Sequence, residues 1–279
     1  SDPDVYAAGD CTEKACVVRG TTCLLPLGST ANKEGRVAGT NAAGGHARFP
    51  GVVGTGAVKV FGWNVARTGL TEADSRRLGV KPACAIIAGP DRAHYYPEAK
   101  TIIVKLIADS VGRKLLGAQI LGPGDAVKRI DVAATALTAG MGIDDIACLD
   151  LAYAPPYAPA MDPLITAADA LRNALDGLVS YVFAAELEAM RQSGDGPFIL
   201  DVRTPAEYQA GHIPGATLIP LGALRGRLRE VPRDRPVVAL CKTSLRAYEA
   251  ARILSARGDS NISVLAGGMA AWPYDTEAG

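Results

Sequence analysis

The sequence predicts two units in tandem, an α+β unit with an antiparallel sheet and then an α/β unit whose sheet is mostly parallel. Between residue 51 and about residue 109, β-rich runs such as Ala57-Val58-Lys59-Val60-Phe61 and Thr101-Ile102-Ile103-Val104-Lys105-Leu106 alternate with Gly and Pro breaks, the pattern of antiparallel strands. Long helices then follow those strands, which suggests α+β. Past Asp176-Gly177 the order changes to alternating helices and strands, which calls for parallel strands covered on both faces.

The chain opens with Ser1-Asp2-Pro3-Asp4-Val5-Tyr6-Ala7-Ala8-Gly9-Asp10, expected as a short strand running into a loop with no earlier strand to pair with, as in a chain cut inside a domain. Residues 28–44 read as a helix of small residues suited to close packing. A helix at 71–78, with Thr71 as N-cap, interrupts the strands. The strand at 115–121 precedes a helix at 125–139, where Val127, Ile130, Ala134 and Leu137 recur at helical spacing. Residues 163–175 form a further helix, ended by Asp176-Gly177. The second unit reads as helix 183–192, strand 198–202, a helix from Pro205, strand 216–219, helix 222–230, strand 236–240, helix 245–257 and strand 262–265. At Pro205 a capping box is expected, with Thr204 at the N-cap and Glu207 at the third position. The expected division is 1–50, 51–176, a linker at 177–182, and 183–279.

Composition narrows the classes. Of 279 residues 48% are hydrophobic and 21% charged, enough for ordinary globular cores and unlike a disordered chain. Lys+Arg and Asp+Glu both number 29, so no net field draws the chain to nucleic acid or an anionic membrane. Apolar runs stay far below the roughly 20 residues that cross a bilayer, no signal-peptide pattern opens the chain, and a cytoplasmic setting is expected. Six cysteines with irregular spacing, no Cys-x-x-Cys and three histidines favour neither a disulfide framework nor a metal site.

One segment carries chemistry. Pro236-Val237-Val238-Ala239-Leu240 reads as a buried strand that ends at Cys241-Lys242-Thr243-Ser244-Leu245-Arg246 immediately before a helix. A thiol there meets backbone N–H groups and the positive end of the helix. Lys242 and Arg246 add positive charge, which favours the nucleophilic thiolate and would hold an anionic sulfur species. The bland alternative is a cysteine packed as a small hydrophobe.

The surrounding motifs decide between them. Asp201-Val202-Arg203, Glu207-Tyr208, Gly211-His212-Ile213-Pro214-Gly215-Ala216, Cys241-x4-Arg246 and Leu265-Ala266-Gly267-Gly268 with Trp272 resemble the rhodanese family, in its order and over nearly all of the second unit. The resemblance implies that Cys241 carries sulfane sulfur as a persulfide within the loop Lys242, Thr243, Ser244, Leu245 and Arg246. Related phosphatases use a longer Cys-x5-Arg loop around phosphate, so phosphatase chemistry is disfavoured. Ser244 departs from the pattern, because family loops often carry Gly at this sharp turn. Arg203 and Glu207 read as helix-start electrostatics and a surface ion pair, and His212 as the residue that fixes the turn before Pro214.

In the first unit, Val5-Tyr6-Ala7-Ala8-Gly9-Asp10-Cys11 resembles the last flavin-contacting segment of the pyridine nucleotide-disulfide oxidoreductases, in which the aspartate matching Asp10 bonds the ribityl chain. Pro26-Leu27-Gly28-Ser29-Thr30-Ala31-Asn32-Lys33-Glu34-Gly35-Arg36, Thr68-Gly69-Leu70, Lys128-Arg129-Ile130-Asp131-Val132 and Leu149-Asp150-Leu151-Ala152-Tyr153-Ala154-Pro155-Pro156 extend the likeness to coenzyme A-disulfide reductases and their rhodanese-fused relatives, the NADH-dependent persulfide or polysulfide reductases. That implies a dimerisation domain at 51–176, a homodimer, and FAD and NAD(P)H as cofactors of the whole enzyme. It implies a sulfane-sulfur donor and a thiol acceptor, with coenzyme A or glutathione persulfide as candidates. Tyr95 and Tyr153 fall on motifs that reach the partner subunit's flavin and disulfide site; packing at the dimer interface explains them equally well. Asn32 and Lys33 lie in a stretch that approaches coenzyme A in relatives, or they cap and decorate a helix. Met161 stands where relatives often place a coenzyme A-contacting lysine.

Other expected parts have no counterpart in the sequence. The nearest match to a nucleotide-binding Gly-x-Gly-x-x-Gly is Gly54-x-Gly56-x-x-Lys59, which lacks the last glycine. The redox cysteine of the first flavin domain is missing too, so these residues alone are expected neither to hold flavin tightly nor to oxidise a nicotinamide. Two further readings stand beside the sulfur carrier: a non-catalytic dimerisation and docking module, and a complete reductase whose other domains arrive on a separate chain.

Overall fold

The computed structural model describes residues 2, 4–194 and 196–278, and builds two five-stranded sheets beside a small hairpin. The hairpin pairs β1 (Lys14–Cys16) with β2 (Thr21–Cys23), and α1 (Gly28–Ala42) follows it. The first large sheet contains β3 (Gly56–Val60), β4 (Trp63–Gly69), β5 (Pro82–Pro90), β6 (Thr101–Asp109) and β7 (Leu115–Gly122). Its order is β3-β4-β7-β6-β5 and every pairing is antiparallel, as the Gly- and Pro-broken β runs predict. Between β4 and β5, α2 (Glu72–Arg77) starts at Thr71, which shares a capping box with Asp74.

Period-two burial explains the face of that sheet. In β6 the side chains of Ile102, Val104 and Leu106 are fully covered, and they meet Ile130, Ala133 and Leu137 of α3 (Val127–Thr138) and Leu164, Ala168 and Leu171 of α5 (Pro163–Leu175). Each such Leu or Ile contributes about 1.5–3 kcal/mol through apolar burial. A short α4 (Ile143–Ala147) closes one end. Gly117 has no alternative, since a Cβ there would lie 2.0 Å from the Leu70 carbonyl oxygen.

The second sheet is parallel throughout. It contains β8 (Ser180–Val182), β9 (Phe198–Asp201), β10 (Thr217–Leu218), β11 (Val237–Leu240) and β12 (Ile262–Leu265), in the order β10-β9-β11-β12-β8. Helices α6 (Ala184–Gln192), α7 (Pro205–Gln209), α8 (Leu221–Leu224) and α9 (Leu245–Ala256) alternate with the strands. Central β11 divides its side chains between two cores. Val237 and Ala239 join Ala247, Ala250 and Leu254 of α9, whereas Val238 and Leu240 join Leu187 of α6, Ile213 and Trp272.

Several sequence expectations are revised. No strand forms at the opening, where residues 4–13 are turn and coil; Ser1 and Pro3 lie outside the described residues. Extended structure appears instead in the β1–β2 hairpin. Residues 180–182, expected within the connection, pair in parallel with β12 as an edge strand. The helix expected at 222–230 splits into α8 and a 3₁₀ turn, Leu228–Glu230, because the Gly226 N–H turns back to the Ala223 carbonyl at 3.0 Å.

The two units touch. Tyr181 packs against the apolar cores of both, and burial pushes its phenol up to about 12. The Lys105 ammonium sits 5.5 Å from the centroid of the Phe183 ring. At Gly267, with φ +76°, a Cβ would come within 3.1 Å of the Ile86 methyl on β5. No helix of the described residues is long and apolar enough to cross a membrane.

Candidate active site

β11 delivers Cys241 to the start of α9 on the face that α9 covers. The loop turns at Ser244, whose φ of +82° is a left-handed conformation that glycine adopts more readily. Its hydroxyl offsets part of that strain by donating to the Leu265 carbonyl at 2.8 Å. The Cys241 and Lys242 carbonyls are turned away, accepting from the N–H groups of Met269 at 2.9 Å and Ala270 at 3.0 Å. Gly268 permits this, because a Cβ there would be 2.4 Å from the Cys241 oxygen. The N–H groups of Lys242, Thr243 and Ser244 have no acceptor among the described residues, and those of Leu245 and Arg246 open α9, where the helix supplies none. Such a run of free donors suits an anion or an anionic sulfur.

Arg246 supplies the charge. Its guanidinium forms a two-pronged pair with Glu207, at 2.8 and 2.7 Å, close enough to Cys241 for the two groups' charges to interact. Arg246 therefore holds the Glu207 carboxyl down at about 2, with help from the Thr204 amide and hydroxyl. The loop thus brings Cys241, Ser244 and Arg246 together, while Lys242 and Leu245 face solvent and Thr243 is half-buried. Cys241 is 1% exposed and packs in the cluster with Val202, Ala247 and Ala251, the burial that the reading of a packed small hydrophobe describes.

Neighbouring motif residues serve structure. Arg203 is buried against Asp201, with Nε–Oδ2 at 2.9 Å, and donates to the Gly211 carbonyl at 2.8 Å. His212 stacks on Tyr208 at 3.6 Å between centroids, its Nδ1 3.0 Å from the Tyr208 carbonyl. Glu207 is the residue that sequence reasoning undervalued. Its partner lies 39 positions away across the active loop, and no local pattern signals that pairing.

In the first unit, Asp10 is exposed on a turn that its neighbours hold rigidly. Buried Lys14 donates to the carbonyls of Gly9 at 2.7 Å and Thr12 at 2.8 Å, while Glu34 of α1 accepts from the Gly9 N–H at 2.9 Å. Asn32 and Lys33 are exposed on α1; Asn32 donates back to the Gly28 carbonyl at 2.7 Å, and Lys33 borders a cavity of about 390 Å³ with Ser29 and Phe49. Tyr95 and Tyr153 are exposed on two loops joined by the Ala93 N–H and the Pro155 carbonyl at 3.2 Å. Met161 shares a cavity of about 320 Å³ with Tyr153. Beneath the loops, buried Arg129 of α3 donates to Asp162, to the Asp91 carbonyl and to the Asp125 carbonyl. The available signal for it was a lone arginine beside Ile130 on an apolar helix.

The chain has clear relatives. Residues 183–274 match the rhodanese-like domain, and residues 55–165 match the pyridine nucleotide-disulphide oxidoreductase dimerisation domain. An NAD(P)H coenzyme A polysulfide/persulfide reductase of Pyrococcus horikoshii is 43% identical over 169 residues, 61% of this chain and 38% of that protein. The NAD-dependent persulfide reductase of A. fulgidus superposes with a TM-score of 0.90 at 45% identity, over 98% of this chain and 49% of that one. Reduced Bacillus anthracis CoADR-RHD gives 0.87 at 36% identity, over 96% and 48%. The chain therefore spans less than half the length of each of these relatives. A sulfurtransferase of Allochromatium vinosum is 33% identical over 95 residues, 34% of this chain and 89% of that protein. With both halves matched in this order, the chain joins a pyridine nucleotide-disulphide oxidoreductase dimerisation domain to a rhodanese-like domain.

Proposed function

We propose that Cys241 carries sulfane sulfur as a persulfide, within a cytoplasmic, homodimeric, flavin-dependent persulfide or coenzyme A-disulfide reductase. The position of Cys241 at the start of α9, beside loop amides with no acceptor among the described residues and one helical turn from the Arg246 guanidinium, carries the reading. The Cys241 thiolate attacks the outer sulfur of an organic persulfide R–S–SH; the donor S–S bond breaks, and R–S leaves with the electron pair and takes the proton. Cys241–S–S⁻ remains, held by Arg246 and the free amides. A thiol acceptor R′–SH then takes the outer sulfur as R′–S–SH and restores the Cys241 thiolate.

The first unit fits the flavin side of such an enzyme. Asp10 presents a free carboxylate on a turn fixed by Lys14 and Glu34, suited to a ribityl hydroxyl. When bound, FAD supplies the reducing electrons taken from NAD(P)H. Tyr95 and Tyr153, exposed on joined loops, are assigned to the partner subunit's flavin and disulfide site, where a phenol donates to a leaving thiolate. Asn32 and Lys33 are assigned to the coenzyme A side, although Met161 offers no cation there.

The test is sulfur transfer from cysteine persulfide to coenzyme A, followed by mass spectrometry. The wild-type chain is expected to form coenzyme A persulfide and Cys241→Ser is expected to lose that turnover. Equal yields from the two proteins would contradict the assignment and favour a docking module.

A further inference from the structure

Arg246 is not a free cation. Both oxygens of Glu207 are engaged by its guanidinium, at 2.8 and 2.7 Å, while the same group stays near enough to Cys241 for their charges to interact. Glu207 is held in turn by the Thr204 amide at 2.9 Å and the Thr204 hydroxyl at 3.0 Å, as the third residue of the α7 capping box. The two side chains are 32% and 29% exposed, sheltered enough for their charges to be felt at the sulfur. The positive charge next to the thiol is thus cancelled within the protein. What remains is the dipole field of the loop amides and the solvated ammonium of Lys242.

We propose that Glu207 selects the sulfur donor by where its charge lies: by neutralising Arg246 it admits organic persulfides, whose other charges are remote from the transferred sulfur, and disfavours thiosulfate, whose dianionic charge sits on the group bonded directly to that sulfur. This rests on the reading of Cys241 as a sulfur carrier. With thiosulfate, the Cys241 thiolate attacks the outer sulfur, the S–S bond breaks, and sulfite leaves with the bonding pair and both of the donor's charges. That encounter brings a dianion to a thiolate and a fixed carboxylate, and the dianion can recruit Arg246 only by breaking a two-pronged pair. An organic persulfide needs less: its terminal sulfur is satisfied by the loop amides, and its remaining charges lie away from the Arg246–Glu207 pair. Glu207 acts through Arg246 and is a specificity-determining residue, not a catalytic one.

The experiment measures loading of the 279-residue chain by intact mass, with thiosulfate and cysteine persulfide as separate donors, for wild type and Glu207→Gln. The variant is expected to raise the ratio of thiosulfate to persulfide loading rates by about tenfold or more, because one repelling charge is gone and Arg246 is released. Its thiosulfate rate should also fall steeply with added salt, as attraction to the freed cation is screened. In the wild type, salt should leave the thiosulfate rate unchanged or raise it, a readout that does not depend on the variant folding. An unchanged donor ratio in Glu207→Gln, or a steep salt-induced fall in the wild type, overturns the assignment while Cys241 persulfide formation from cysteine persulfide stands. Wild-type protein that loads from neither donor overturns this inference together with the sulfur-carrier reading.

Discussion

Arg129 grips Asp162 inside the first unit, its Nε 3.1 Å from Oδ2, with both side chains buried. The same carboxylate caps α5 through the Leu164 amide at 2.9 Å, and the same guanidinium reaches the Asp91 carbonyl. Asp91 in turn accepts from the amides of Lys100 and Asp125. One buried pair therefore ties together the ends of the loops that carry Tyr95 and Tyr153. Arg129→Met should leave Asp162 charged and unpaired, costing about 3–5 kcal/mol. Denaturant unfolding reads this, and the double variant with Asp162→Asn should recover part of the loss.

Ser244 opposes two effects, a left-handed φ and a hydrogen bond to Leu265. Ser244→Gly removes both and Ser244→Ala removes only the bond. Urea unfolding should therefore rank glycine above alanine by about 1 kcal/mol. The reverse order would mean that the turn is not strained.

The Glu207–Arg246 pair makes acid stability diagnostic. The carboxyl is lowered from 4.5 to about 2 in the folded chain, chiefly by Arg246, so its contribution is fully present above 4.5 and disappears as pH falls toward 2. Glu207→Gln should flatten this part of the stability curve of the rhodanese-like domain. Identical slopes for wild type and variant between pH 4.5 and 2 would contradict the pairing.

The thiols should differ in reactivity. Cys11 and Cys148 are exposed, Cys16 is buried, and burial together with Glu72 pushes Cys84 up to about 12. Brief iodoacetamide treatment near pH 8 should label Cys11 and Cys148 well before Cys84, by peptide mapping. Early labelling of Cys84 would show that β5 is open to solvent beside Glu72.

Much of this architecture was legible in the sequence, for particular reasons. Val237–Leu240 followed by a basic loop and a helix is a local pattern, so the position of Cys241 was readable. The apolar alternation of β6 and the spacing of Ile130 and Leu137 are local too. Short elements were not readable: Ser180–Val182 and Lys14–Cys16 have three residues each, too few to show a period. Interactions across the fold were also hidden. Glu207 looked like a cap because its capping partner Thr204 is three residues away, whereas Arg246 is 39 away. Lys14 and Arg129 read as ordinary polar residues until the fold covers them.

The most direct measurement is the mass of the intact chain after exposure to cysteine persulfide, followed by peptide mapping of the added atom. The account predicts the gain of one sulfur on Cys241, removable by excess thiol and absent when Cys241 is replaced by Ser. Sulfur found on Cys11 or Cys148 with none on Cys241 would contradict it.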